Sequence, residues 1–155
     1  VHELSLVFNK KLPIYNPQKT QGHEPVHAFT KHTSDGTNYG KTKIGISGGG
    51  QTDRHPSSII EFDVVNNDSD ERIHPTQKPD DMFEWLIKTF TNEEMLVLDN
   101  AIGSGTTAVA CLNTNRHFIG MDVDKELGKK ARKRVNAVRS RKTPVLDSYQ
   151  PSLRL

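Results

Sequence analysis

Val97-Leu98-Asp99-Asn100-Ala101-Ile102-Gly103-Ser104-Gly105-Thr106-Thr107-Ala108-Val109-Ala110 decides the fold. A short apolar strand ends in an aspartate, a glycine-bracketed turn follows, and a stretch rich in alanine and small hydroxyls predicts a helix. α/β proteins build nucleotide-sized ligand sites in this way. The two glycines allow close backbone approach, and the helix start presents N–H donors that have no partner inside the helix. Eleven residues after Thr107 a second strand begins, Phe118-Ile119-Gly120-Met121-Asp122, and it too ends in a carboxylate. In nucleotide-binding sheets an acid at that place bonds ribose hydroxyls.

Neither common phosphate fingerprint fits. Ala108 stands where Gly-x-Gly-x-x-Gly needs its third glycine, and no Gly-Lys-Ser/Thr closes the turn. The acids before and after the turn disfavour a polyphosphate, because like charges repel. They suit a ligand with hydroxyls and a cation.

The chain has 155 residues, enough for one domain and too few for two full ones. Its hydrophobic share of 33% lies below the roughly 45–50% of ordinary globular chains counted with glycine, as expected of a half-domain with long polar loops. Val1 at the start and a strand already under way at Leu4-Ser5-Leu6-Val7-Phe8 lead us to expect further sequence upstream. The lone Cys111 excludes an internal disulfide and a cysteine zinc cluster, and its place after the glycine turn suits a buried apolar role. No run approaches about 18 apolar residues and no signal peptide is visible, so the expectation is a cytoplasmic protein without a membrane span.

Residues 2–8 and 59–64 alternate as strands do. Residues 12–58 are loop-like, with Pro13, Pro17, Pro25, Pro56 and Gly48-Gly49-Gly50; a loop that long in a compact domain is functional or disordered. Pro79 suits the first position of a helix running from Asp80 to Phe90, with Asp80 and Asp81 in its first turn and an apolar stripe of Met82, Phe83, Leu86, Ile87 and Phe90. Residues 95–99 read as a buried parallel strand, 104–112 as a helix and 118–122 as the next strand, together a right-handed βαβ unit. Asp124 opens a last helix to about Ser140, with Leu127, Ala131, Val135 and Val138 inward, and Pro144 marks its stop.

Arg72-Ile73-His74-Pro75-Thr76-Gln77-Lys78-Pro79 precedes that first helix. His-Pro-Thr-Gln-Lys-Pro, a helix, a strand ending in Asp, Gly-Ser-Gly-Thr-Thr and then Phe-Ile-Gly-Met-Asp resemble, in this order, the S-adenosylmethionine-dependent DNA amino-methyltransferases of the beta arrangement. The resemblance covers roughly residues 2–139 and is strongest over 72–126. It implies an α/β, Rossmann-like methyltransferase fold with an incomplete parallel-type sheet and a long loop-rich insertion. The implied division is a strand and target-recognition region over 1–71, an S-adenosylmethionine-binding core over 72–142 and a tail over 143–155.

The same resemblance assigns cofactor contacts. Asp99 would lie near the sulfonium and amino-acid end, and Gly103, Ser104 and Gly105 would form the turn over the cofactor. Thr106 and Thr107 would hold the methionine carboxylate, Asp122 would take the ribose, and Thr76, Gln77 and Lys78 would form a methionine-side lid. Two departures stand out: Asp99-Asn100-Ala101 replaces the family's Asp-Pro-Phe, and Asp122 replaces a frequent glutamate. A larger one is that the catalytic Asp/Asn/Ser-Pro-Pro-aromatic tetrapeptide occurs nowhere in these residues. The chain therefore resembles the C-terminal, cofactor-binding part, and no catalytic residue is assigned.

The implied reaction moves a methyl group from S-adenosylmethionine to the N6 of adenine or the N4 of cytosine in a flipped-out base of double-stranded DNA. The alternative is a catalytically inactive remnant that binds cofactor or a partner. An upstream segment or a second chain would supply the tetrapeptide, oligomers are compatible, and a bacterial or phage restriction-modification setting is implied. An unrelated dinucleotide enzyme is disfavoured by Ala108 and by Thr-Gln-Lys-Pro.

For DNA contact, Lys31 to Arg54 is the better candidate, with Lys41, Lys43, Gln51 and Arg54 able to reach base edges or phosphates. The nine basic residues between Lys125 and Lys142 read first as a solvated helix face. His23, His27 and His32 match no standard metal spacing, so no metal is expected. Trp85, beside the apolar stripe, reads as packing.

Overall fold

The computed structural model describes residues 3–27, 29–30, 46–47, 49–65 and 72–142. The chain divides into two compact units, Val1–Asn16 with Glu61–Leu155, and Pro17–Ile60. The smaller unit holds the antiparallel pair β1 (Phe29–Thr30) and β2 (Ile46–Ser47) and a bridge between Thr20 and Arg54. The larger unit runs α1 (Asp80–Phe90), β3 (Leu96–Asp99), α2 (Thr106–Asn113), β4 (His117–Gly120) and α3 (Lys125–Lys142).

β3 and β4 pair in parallel, Leu96 opposite His117 and Asp99 opposite Gly120, with α2 as the crossover. This α/β architecture agrees with the sequence reading.

The ends of these elements are chemical. Pro79, extended at φ −60° and ψ 140°, caps α1 rather than opening it, one residue from the expected place. At the other end Asn16 Nδ2 donates to the carbonyls of Lys88 and Thr91, and Arg116 Nη2 donates to Thr91 O at 2.9 Å. These donors satisfy carbonyls that a helix terminus leaves unpaired. α2 begins at Thr106, later than the expected Ser104, because Gly105 sits at φ +82° and cannot be helical. It stops where Asn115 turns left-handed at φ 60° and Arg116 N–H reaches back to Cys111 O at 2.8 Å, a Schellman closure with asparagine in the usual glycine place. Asp124 Oδ1 accepts the N–H groups of Glu126 and Leu127 and caps α3.

The core lies along α2. Ile87, Ala110 and Cys111 pack with Phe83, Val97 and Phe118, while Ala108, Val109 and Val135 pack with Ile102, Leu112, Phe118 and Val138. Phe118 joins both clusters. Small side chains on α2 let α1, β4 and α3 all approach it, and each large apolar side chain buried against it is worth about 1.5–3 kcal/mol.

Three expectations need correction. Residues 3–8 and 59–64 form no strand. Alternation favours a strand only where a neighbour offers ladder partners, and here Leu6, Phe8 and Ile59 stay exposed. The strand expected to be buried at 95–99 is exposed on one side, with Leu96 59% and Leu98 63% accessible. Parallel strands are buried when helices cover both faces, and helix packing covers only the Val97 and Phe118 side. The lysines Lys41 and Lys43, with Lys31, His32 and residues 143–155, lie outside the described residues.

Candidate functional site

Asp99 ends β3 with both carboxylate oxygens engaged. Oδ1 accepts the Ala101 N–H at 3.0 Å, and Oδ2 accepts the Thr107 hydroxyl. The acid thereby fixes the first residues of the turn and the first turn of α2 together. Gly103 at φ +51° and Gly105 at φ +82° carry the chain through the turn in left-handed conformations. A Cβ on Gly105 would also sit 3.3 Å from Ala131 Cβ on α3.

Asp122, just past β4, reaches across to the same turn. Its Oδ2 accepts the Gly103 N–H at 2.8 Å and its Oδ1 the Asp124 N–H at 2.8 Å. These backbone donors, Asp124 first and Gly103 second, hold its carboxyl below the ordinary aspartate value. An ionised carboxylate has about four acceptor positions, so two bonds leave capacity for hydroxyl donors.

The segment before α1 is folded on itself. Gln77 Oε1 accepts the Ile73 N–H at 3.0 Å, Gln77 N–H donates to His74 O at 3.1 Å, and Thr76 N–H donates to His74 Nδ1 at 3.2 Å. Lys78 Nζ pairs with Glu3. Thr106 Oγ1 donates to Lys78 O at 3.2 Å, which joins this segment to the glycine turn.

Between them lies a cavity of about 620 Å³, within the range of small-molecule sites. Thr76, Gln77, Lys78, Asp99, Gly103, Ser104, Thr106 and Thr107 line it; Gly105 and Asp122 do not. Gly105 is turned toward α3, and Asp122 stands behind Gly103. The hydroxyl protons of Thr106 and Thr107 are committed to Lys78 O and Asp99, so donors toward a ligand come from backbone N–H groups at the helix start.

Sequence reasoning missed the apolar wall, made by Phe83, Leu86, Phe90, Ile102 and Leu127, and the rim residue His74. Phe83, Leu86 and Phe90 belong to the apolar stripe on α1. Its spacing cannot separate a side chain against a sheet from one against a cavity.

In the smaller unit Arg54 is occupied by its own loop. Its guanidinium donates to the carbonyls of Gln51 at 3.0 Å, Asp53 at 2.9 Å and Glu24 at 2.5 Å. Gln51 is exposed. Lys19 Nζ lies 2.8 Å from Asp53 Oδ2 and lowers that carboxyl. Cys111 is fully buried, and burial pushes its thiol up to about 11. Among the described residues no cluster of three His, Cys, Asp or Glu is placed to hold a metal, and no helix is long and apolar enough to cross a membrane.

Residues 1–133 match a family model described as DNA methylase, of the N6 and N4 type. The Type II methyltransferase M.HpaI of Haemophilus parainfluenzae is 33% identical over 149 residues, 87% of this chain and 47% of that protein. M.BglII of Bacillus subtilis is 33% identical over 126 residues, 81% of this chain and 33% of its own length. The crystal structure of the M1.HpyAVI–SAM complex shares 35% identity across 53% of this chain and 43% of that one, with a TM-score of 0.43. The chain spans less than half the length of these curated relatives.

Proposed function

This chain belongs to the N6/N4 DNA methylase family, and we propose that it forms the S-adenosylmethionine-binding part of a DNA methyltransferase acting on an exocyclic amine of adenine or cytosine. One observation carries the proposal. A single cavity gathers Thr76 to Lys78, Asp99, Gly103, Ser104, Thr106 and Thr107, which the sequence places far apart. The residues fit that cofactor: an acid suits a sulfonium cation, the N–H groups at the start of α2 suit a carboxylate, and an apolar wall suits an adenine ring. When bound, the cofactor supplies an activated methyl group. M1.HpyAVI, at 35% identity, was crystallised as a SAM complex.

Asp99 orients the positive end while Thr107 holds its carboxylate in place. Asp122, outside the cavity lining, fixes Gly103 and so holds the turn rather than touching the ribose. Phe83, Leu86 and Phe90 exclude water from one side. We place target recognition in residues 1–71, with Lys41, Lys43 and Gln51 toward DNA and Arg54 holding the loop, the cofactor core in 72–142 and a tail in 143–155. The Pro-Pro-aromatic tetrapeptide is absent from these residues, so an upstream segment or a second chain supplies it, and the work is done on double-stranded DNA in the cytoplasm. The half-exposed β3 and β4 residues Leu96, Leu98 and Ile119 support such a complement, since it would cover them. A cofactor-binding remnant is the second reading, favoured by the same absence.

Photolabelling with methyl-labelled S-adenosylmethionine tests the proposal. The expected label falls in peptides spanning 74–78 or 99–107 and is competed by unlabelled cofactor. Label confined to 17–60, or none at all, contradicts it.

A further inference from the structure

α3 carries nine basic residues, and all but one are exposed. Arg134 is turned inward, its side chain 14% accessible. Its Nη2 donates to both oxygens of Asp80 at 2.7 Å, and its Nη1 lies 3.4 Å from Ser104 O and 3.4 Å from Thr106 Oγ1. Three segments meet at this guanidinium: the start of α1, directly after Lys78 and Pro79; the glycine turn; and α3. Thr106 relays the contact, taking Arg134 on its oxygen and giving its proton to Lys78 O.

We propose that Arg134 is a positioning residue for the cofactor site, holding the segment 76–79 and the turn 103–107 in one fixed relation. Charge and shape both matter. A lysine would keep the charge but not the fork that spans Asp80 and the turn at once. Partly buried, charge-assisted bonds are stronger than exposed ones, and removing Arg134 takes from Asp80 its bidentate partner. Both ends of the cavity lining then lose their common anchor, and the ligand must restore their order on binding.

The inference rests on the proposed cofactor site, but its test does not depend on that reading alone. Hydrogen exchange of the ligand-free 155-residue chain is measured for the parent, Arg134→Ala, Arg134→Lys, Asp80→Asn and Val138→Ala, the last a packing change on the same helix. Amides in 76–78 and 103–107 are expected to exchange faster together by about tenfold in the first three variants. Val138→Ala, at a similar loss of melting temperature, is expected to leave these two segments unlinked. Affinity for S-adenosylmethionine should weaken by about tenfold in Arg134→Ala, and Arg134→Lys should not restore it. Equal exchange in Arg134→Ala and Val138→Ala, or full rescue by lysine, overturns the proposal. If the parent fails to bind the cofactor, the functional reading falls, and the exchange pattern still decides the role of Arg134.

Discussion

Asp122 Oδ2 accepts the Gly103 N–H at 2.8 Å, joining the end of one parallel strand to the turn that follows the other. The bond spans 19 residues of chain and fixes the glycine turn from behind, while Asp99 fixes it from the front. A turn with two left-handed glycines has much freedom to lose. Two carboxylates on its N–H groups select one conformation from that freedom.

Acid should loosen this turn. The folded carboxyl of Asp122 lies below its ordinary value of 3.8 because backbone N–H groups, Asp124 first and Gly103 second, bind the charged form. A depressed carboxylate contributes stability above its unfolded value, lost as pH falls through the lowered folded value. Thermal melts from neutral pH down through that range should show Asp122→Asn losing less stability on acidification than the parent. Parallel curves contradict this.

Two glycines should respond oppositely to alanine. Gly105 is left-handed at φ +82° with Ala131 Cβ and Val135 Cγ2 at 3.3 and 3.4 Å from a would-be Cβ, so Gly105→Ala should cost about 1–2 kcal/mol or more. Gly128, inside α3, meets nothing within 4 Å, so Gly128→Ala should stabilise by roughly 0.5–1 kcal/mol. Denaturant titrations read both signs.

Cys111 should resist thiol reagents in the folded chain. Burial raises its thiol from 9.0 to about 11, and the nucleophilic thiolate is therefore scarce at neutral pH. An aromatic disulfide reagent should react slowly with the native chain and at once after denaturation. Because the folded value is the higher one, the thiol's contribution to stability is complete below 9.0 and fades as pH rises toward about 11.

The isolated chain should transfer no methyl group to duplex DNA, since the polar residue and aromatic expected to hold the target base are absent from its sequence. A radiolabel incorporation assay reads this directly, and incorporation above background contradicts it.

Much of the larger unit was legible because its signals are local. Pro79 with Asp80 and Asp81, the glycine pair and Asp124 each mark a boundary within a few residues, and α1 came out with the expected limits. Residues 3–8 and 59–64 were misread because alternation describes a strand's faces and says nothing about whether a neighbour exists to pair with. Arg134 was hidden in a basic run, although it follows Leu127 and Ala131 at helical spacing on the inward face. The bond from Asp122 to Gly103 was not legible, since no pattern predicts which side chain satisfies a turn's N–H across the sheet. Which members of the α1 stripe line the cavity was not legible, because packing and lining residues share one periodicity.

Calorimetric titration of the 155-residue chain with S-adenosylmethionine, with Asp99→Asn beside the parent, reads whether Asp99 and the glycine turn hold the cofactor. That variant removes the charge while keeping a hydrogen-bonding oxygen in place. We predict single-site binding by the parent and an affinity lower by about tenfold or more in Asp99→Asn. No binding by the parent, or equal affinity in the two, would contradict a cofactor site built on Asp99 and the glycine turn.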